Sequence, residues 1–85
     1  MNDFVSLNML DIGEKATVKE LKNSGTIRRR LLDIGLTENA PIECVGKSPS
    51  GDPCAYLIRG AVIAIRCEDC KNIYVKDIRR CLNEQ

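Results

Sequence analysis

Three strand-like runs lie close together in the second half of the sequence, and their spacing limits the possible folds more than any other feature. Residues 42–47 and 54–59 flank a segment rich in Pro, Ser and Gly, and the pair Arg59-Gly60 leads directly into residues 61–66. Neighbouring parallel strands need a crossover of roughly a dozen residues or more, and none of these connections is that long. The runs therefore predict antiparallel strands joined by tight turns.

The other predicted elements are short. They are a strand over residues 16–21, a helical turn over residues 68–72, a strand over residues 73–75 and a second helical turn over residues 78–82. Ala16 and Val18 fall on one face of the first strand. The run from Ala61 to Ile65 is apolar on both faces, which leaves two alternatives. Either the curvature of a small barrel hides both sides, or one side is a docking surface.

A single short amphipathic helix is predicted over residues 26–36. Ile27, Leu31 and Ile34 recur at helical spacing, and the three arginines at 28–30 project away from that stripe. Gly35 suits the left-handed position that ends a helix, and Leu36 can contact Leu31 as in a Schellman motif. At the other end, the hydroxyl of residue 24 or 26 is expected to cap the free amides.

The size of the chain favours one small core. It has 85 residues, of which 44% are hydrophobic and 29% charged, so we expect a single domain over residues 1–85. A domain of this size buries roughly 60 to 65% of its unfolded surface, which makes a deep substrate cleft hard to build. The elements and the size together predict a mainly β protein, a small antiparallel β-barrel with one short amphipathic helix.

Charge and cysteine content exclude several classes of protein. The formal net charge is +1, whereas domains that bind nucleic acid usually carry a clear basic excess, so no nucleic-acid partner is expected. No apolar run is long enough for a signal peptide or a membrane insertion. The five cysteines form an odd number in a chain without a targeting signal, which favours reduced thiols in the cytoplasm.

The Cys67-Glu68-Asp69-Cys70 run is the one pattern typical of a metal site. A closed zinc site needs four ligands, and the chain has no histidine. Cys67 and Cys70 are therefore metal-ligand candidates only, and no cofactor is expected. Cys44 and Cys54 are predicted to face each other across a hairpin, where an improvised site would be unspecific.

Five residues are candidates for partner binding: Arg28, Arg29, Arg30, Asp52 and Tyr56. The arginines are either a solvated helix face or a contact for carboxylates or phosphates, to which arginine offers fixed bidentate donors. Asp52 and Tyr56 lie in or beside the 48–53 loop, and loops of small barrels often carry recognition. No catalytic residue is assigned, because the chain lacks histidine, an activated nucleophile and a phosphate-binding Gly-rich loop.

The runs at residues 27–37 (IRRRLLDIGLT), 51–60 (GDPCAYLIRG) and 62–66 (VIAIR) together resemble the FeoA family. The similarity extends from about residue 7 to residue 75, and the motifs stand in the same order. The resemblance implies an SH3-like barrel that does not catalyse a reaction. It also implies that the Cys70 position, where the family tends to carry Ala, holds a packed and inert thiol.

The resemblance further implies a partner and a location. FeoA proteins work in the bacterial cytoplasm with FeoB, the membrane protein that transports ferrous iron and carries a GTP-binding domain. We therefore expect a cytoplasmic accessory or regulatory protein, held at the inner membrane only through the transporter, that acts by protein–protein interaction. The alternative is a metal-responsive sensor that binds iron or zinc through Cys67 and Cys70.

Overall fold

The computed structural model describes residues 4–80, which form one six-stranded sheet with two helices. The elements are β1 (Phe4–Ser6), β2 (Glu14–Leu21), α1 (Gly25–Asp33), β3 (Pro41–Lys47), β4 (Cys54–Ile58), β5 (Ala61–Ile65), α2 (Cys67–Cys70) and β6 (Ile73–Arg80). The strand order is β1-β6-β2-β3-β4-β5, and each neighbouring pair is antiparallel. The expected antiparallel pairing is thus confirmed.

Alternating residues of the strands fill a single core. Fully buried side chains come from most elements, and the largest are Tyr56, Leu7, Leu10, Leu36, Ile42, Ile58 and Ile73. Ala16 and Val18 lie in this core as expected. Leu21 is also buried although it breaks the alternation, because the pairing of β2 with β6 shifts register between Val18 and Glu20.

Strand β6 is longer than predicted. It runs over eight residues, Ile73–Arg80, and pairs with β1 on one side and with β2 on the other. Arg80 lies opposite Glu14, and their side chains form an ion pair with 3.8 Å between Nη2 and Oε2. The predicted helical turn at residues 78–82 is therefore wrong for residues 78–80, because Ile78 to Arg80 extend this strand, and residues 81 and 82 lie outside the described region.

The amino-terminal segment was not predicted to hold an element. Strand β1 is followed by a 3-10 turn at Leu7–Met9, and this turn buries Leu7 completely. Leu10, directly after it, is equally buried. Residues 4–10 therefore contribute to the core, although their apolar residues follow neither the helical nor the strand periodicity.

The end of α1 matches the predicted Schellman motif. The amide of Leu36 donates to the carbonyl of Leu31 at 3.0 Å, and the amide of Gly35 donates to Leu32 at 3.0 Å. Gly35 has a φ of 109°, which an L side chain rarely adopts. The predicted side-chain cap at the other end is wrong, because the exposed Ser24 holds the N-cap position without a side-chain hydrogen bond. Water satisfies amides that are left free at such an end.

Strand β5 lies at one edge of the sheet and has one open face. Val62 is 65% exposed, whereas Ile65 is buried, so the barrel does not hide both of its faces. Strand β4 pairs with one side of β5, and no other described strand pairs with its second side. Neither helix within residues 4–80 is long and apolar enough for a membrane crossing.

Candidate functional site

A groove between α1 and β5 is one of the surface clefts of the described structure. It has a volume of about 380 Å³ and is lined by Ile27 and Leu31 of α1, by Ile34 directly after it, and by Ile63, Ala64 and Ile65 of β5. Only Leu31 and Ile65 of these are fully packed into the core, and Ile27 remains 41% exposed. The apolar stripe of α1 therefore packs on the core through Leu31 and also borders a groove that is open to solvent.

Two arginines and one aspartate are the charged residues of this groove. Arg30 comes from α1, Arg66 directly follows β5, and Asp69 lies in α2. Their charges sum to one excess positive charge, so an occupant with a carboxylate is favoured over one with an ammonium group. Sequence analysis named Arg30 and gave one face of residues 61–65 as a possible docking surface, but it missed Arg66 and the meeting of α1 with β5, because these elements are far apart in the sequence.

The three consecutive arginines have different surroundings. Nη1 of Arg28 donates to the carbonyl of Leu21 at 2.7 Å, which ties the start of α1 to the end of β2. Arg30 lines the groove, and Arg29 is exposed away from it. The basic run is therefore not one uniform surface, and Arg28 has a structural contact of its own.

The two other partner-binding candidates also have structural positions. Oδ1 of Asp52 accepts a hydrogen bond from the Cys67 amide at 3.0 Å, and so joins the β3–β4 loop to the start of α2. Tyr56 is fully buried, and its hydroxyl accepts a weak hydrogen bond from the Cys70 thiol at 3.6 Å. The prediction that Tyr56 contributes to a docking surface is wrong, because its ring belongs to the core.

Cys67 and Cys70 make different polar contacts. The Cys70 thiol is fully buried, and this burial raises its pKa to about 12. The Cys67 thiol donates to the carbonyl of Gly51 at 3.1 Å. Loss of hydration raises the pKa of Cys67, and the nearby Cys54 and Asp52 raise it further. A metal ion would have to displace a proton from each of these thiols, since the ligand form is the thiolate.

The Cys54 thiol lies near the Cys67 thiol. Both thiols donate to the carbonyl of Gly51, that of Cys54 at 3.6 Å, so the two side chains converge on the β3–β4 loop. Cys44 lies opposite Tyr56 rather than opposite Cys54, because a register shift follows Cys44. The prediction that Cys44 and Cys54 face each other is therefore wrong. Among residues 4–80, no group of three or more metal-ligating side chains is placed to hold an ion.

A smaller cleft lies at the other end of the β4–β5 hairpin. It has a volume of about 230 Å³, and its walls include Pro41, Leu57 and Arg59. Arg59 reaches across to α1's end, where its Nη2 donates to Oγ1 of Thr37 at 3.2 Å. This side chain was not predicted to have a role, because the sequence marks Arg59 only as a turn residue.

Comparison with known sequences identifies relatives over most of the chain. The family model described as FeoA domain matches residues 5–77. A protein of Porphyromonas gingivalis (strain ATCC BAA-308 / W83), described as a Fe(2+) transport protein A/Fe(2+) transporter FeoB fusion protein, is 30% identical over 70 residues. The match covers 82% of this chain but 8% of that protein, so the chain spans only a small part of its relative's length.

Solved structures with the same fold cover the whole sheet. An FeoA-like protein from Clostridium acetobutylicum is 28% identical, with a TM-score of 0.78 over 100% of this chain and 95% of its own. Stenotrophomonas maltophilia FeoA, described as a prokaryotic SH3 domain protein complexed with zinc, has a TM-score of 0.83 and 23% identity over 92% of this chain and 99% of its own. The expected mainly β, SH3-like fold with one short amphipathic helix is confirmed.

Proposed function

The chain belongs to the FeoA domain family, and from this membership we propose that it is a non-enzymatic accessory protein of ferrous-iron uptake. It acts by binding a FeoB-type transporter. The observation that carries this proposal is the Porphyromonas gingivalis relative, in which a Fe(2+) transport protein A and a Fe(2+) transporter FeoB are fused in one protein. Fusion holds two modules at a high effective concentration, which is useful only when they act together.

The size and chemistry of the chain are consistent with a binding role. The chain has no histidine to act as a base near neutral pH. The groove between α1 and β5 is apolar with a basic rim, a composition that suits protein recognition better than acid–base chemistry. From the same family membership we propose that the protein works in the cytoplasm, and that it reaches the inner membrane only through its transporter. The contacted portion is proposed to be the GTP-binding part of FeoB.

A calorimetric titration tests the proposal. The purified chain is titrated into the cytoplasmic portion of a FeoB-type transporter under reducing conditions, with GDP or with a non-hydrolysable GTP analogue bound. We expect saturable binding with a stoichiometry of one in at least one nucleotide state. No heat of binding in either state, together with separate elution of the two proteins on gel filtration, would contradict the proposal.

The sensor alternative is tested by metal analysis. No described contact favours it, since the Cys67 and Cys70 thiols have different hydrogen-bond partners. Metal content is measured after anaerobic purification of the wild-type chain and of the Cys67→Ser/Cys70→Ser double variant. Stoichiometric iron or zinc in the first and its loss in the second would establish the alternative.

A further inference from the structure

The open edge of β5 presents backbone groups that lack a partner in the described structure. The two-residue turn at Arg59-Gly60 has positive φ values of 49° and 83°, as in type I′ hairpins. In such hairpins the pair that flanks the turn, here Ile58 and Ala61, exchanges both hydrogen bonds. Because bonded residues alternate along the strand, Val62 and Ala64 direct their amides and carbonyls to the open edge.

This edge lacks the features that normally protect an edge strand. Such strands usually carry charged residues or proline, or are covered by another element. Residues 61–65 contain only Ala, Val and Ile, and Val62 is 65% exposed. Helix α1 does not cover the edge, since the groove of about 380 Å³ separates it from β5. The arrangement leaves room for one more extended segment beside β5.

We propose that the groove between α1 and β5 receives an extended segment of the transporter, which adds a seventh strand to the sheet at β5. The backbone of the added strand bonds to Val62 and Ala64. Its apolar side chains on one face contact Ile27 and Leu31 of α1 and Ile34 at its end. This inference rests on the proposed function. It identifies the surface of the chain that binds the transporter, and it states that the bound segment is extended.

The charges of the groove define the segment further. Arg30 and Arg66 exceed the single acid Asp69 among the lining residues, so the segment carries at least one carboxylate beside its apolar residues. Arginine holds a carboxylate through two parallel hydrogen bonds, which fixes register as well as affinity.

A second copy of this chain fits the groove less well. If two β5 strands paired antiparallel with Val62 opposite Ala64, Arg66 of one copy would lie opposite Gly60 of the other and beside its Arg59. This arrangement brings like charges together at both ends of the pair, which is unfavourable. An acidic strand from another protein has no such conflict.

A proline substitution tests the strand addition directly. Val62→Pro removes an amide that points to the open edge and spares the bonds to β4, and proline is tolerated at such edge positions. Val62→Thr is the matched control, because it keeps the amide and a β-branched side chain. In titrations with the cytoplasmic portion of a FeoB-type transporter, we expect Val62→Pro to raise the Kd at least about tenfold and Val62→Thr to leave it within about twofold.

Charge reversal provides a second test that does not depend on the proline variant folding. Arg30→Glu and Arg66→Glu are each expected to raise the Kd about tenfold, whereas Arg79→Glu, an exposed arginine of β6 outside the groove, serves as the control. Hydrogen exchange of the wild-type complex gives an independent readout. The amides of Val62 and Ala64 are expected to gain protection, while that of Ile63, already bonded to β4, changes little.

The outcomes separate this inference from the proposed function. If the wild-type chain binds the transporter and all groove variants bind equally well, the strand addition is overturned and the proposed function stands. If the wild-type chain does not bind, both fail. A wild-type chain that dimerises alone, and becomes monomeric with Val62→Pro in sedimentation experiments, would overturn the inference in favour of a second copy.

Discussion

The Arg59 side chain occupies the space that a Cβ atom at Gly35 would need. An ideal Cβ at residue 35 would lie 2.7 Å from Cδ of Arg59 and 2.9 Å from its Nε. The same Nε donates to the Gly35 carbonyl at 3.4 Å. The end of α1 and the β4–β5 turn are therefore joined through one arginine that lies across one glycine.

Gly35→Ala is expected to destabilise the protein by about 2 kcal/mol. A methyl group at φ 109° is strained, and it also displaces Arg59 from its hydrogen bonds to Gly35 and Thr37. Urea unfolding measures the change. Gly60→Ala is the matched control, because Gly60 has a similar φ of 83° but open space around its Cβ position. Equal losses in the two variants would mean that the contact with Arg59 contributes nothing.

Arg59→Ala is expected to relieve part of the cost of Gly35→Ala. In the double variant the methyl group no longer meets the arginine. The stability lost in the double variant should therefore be smaller, by about 1 kcal/mol, than the sum of the losses in the two single variants. A double-mutant cycle in urea measures this difference. Strict additivity would place the origin of the Gly35→Ala effect in the backbone alone.

Asp52→Ala is expected to cost about 1 kcal/mol of stability. The substitution removes the acceptor for the Cys67 amide, which is the loss of a cap at the start of α2. Asp52→Asn retains an acceptor oxygen and should lose less. Glu38→Ala, at an exposed turn position, controls for the change in net charge. An unfolding midpoint for Asp52→Ala equal to that of Glu38→Ala would show that the cap does not stabilise the fold.

Arg28→Ala and Arg29→Ala are expected to differ in stability. Arg28 donates to the Leu21 carbonyl, so its loss leaves that carbonyl without this charged donor and should cost about 1 to 2 kcal/mol. Arg29 is exposed, and its substitution should stay within about 0.5 kcal/mol. Thermal unfolding of both variants measures the difference. A combined substitution of all three arginines would therefore confuse folding with partner binding.

The protein is expected to lose stability above about pH 9 through Cys70. Burial raises the pKa of this thiol from 9.0 to about 12. Between these pH values the thiol of the unfolded chain releases a proton that the folded chain keeps. The contribution of Cys70 to the free energy of unfolding is therefore complete below pH 9 and falls by about 1.4 kcal/mol per pH unit above it. Urea midpoints at pH 8, 10 and 11 test this.

Cys70→Ala is the control for that pH dependence. The variant keeps the other buried ionisable groups, among them Tyr56, whose pKa burial also raises well above its usual range. Its stability should therefore fall less steeply between pH 9 and pH 11 than that of the wild type. Parallel curves for the two proteins would mean that the Cys70 thiol is not protected from ionisation.

Local signals in the sequence were sufficient where one residue decides the conformation. Gly35 and Leu36 identified the end of α1, and Arg59-Gly60 identified the turn between β4 and β5, because both depend on a glycine that accepts positive φ. Tyr56 also had a readable signal. It stands between Cys54 and Ile58 on the inward face of β4, and period two alone places it in the core.

Features that depend on contacts between elements far apart in the sequence could not be predicted from local patterns. The burial of Leu21 follows from a bulge against β6, and the extension of β6 beyond Val75 follows from its pairing with Lys15 and Glu14. The groove joins α1 to β5, which are separated by the whole β3–β4 hairpin. Periodicity describes one element at a time, so it cannot show which apolar faces meet and which remain open.

The position of β6 has a consequence for biosynthesis. Because β6 lies between β1 and β2, the first two strands leave the ribosome well before the strand that separates and joins them exists. Strands β2 to β5 can pair with their neighbours in the order in which they emerge, but β1 pairs only with β6 and waits for residues 73–80. Translation should therefore produce a nascent chain in which β1 and the unpaired side of β2 stay exposed to chaperones and proteases until the last described strand emerges.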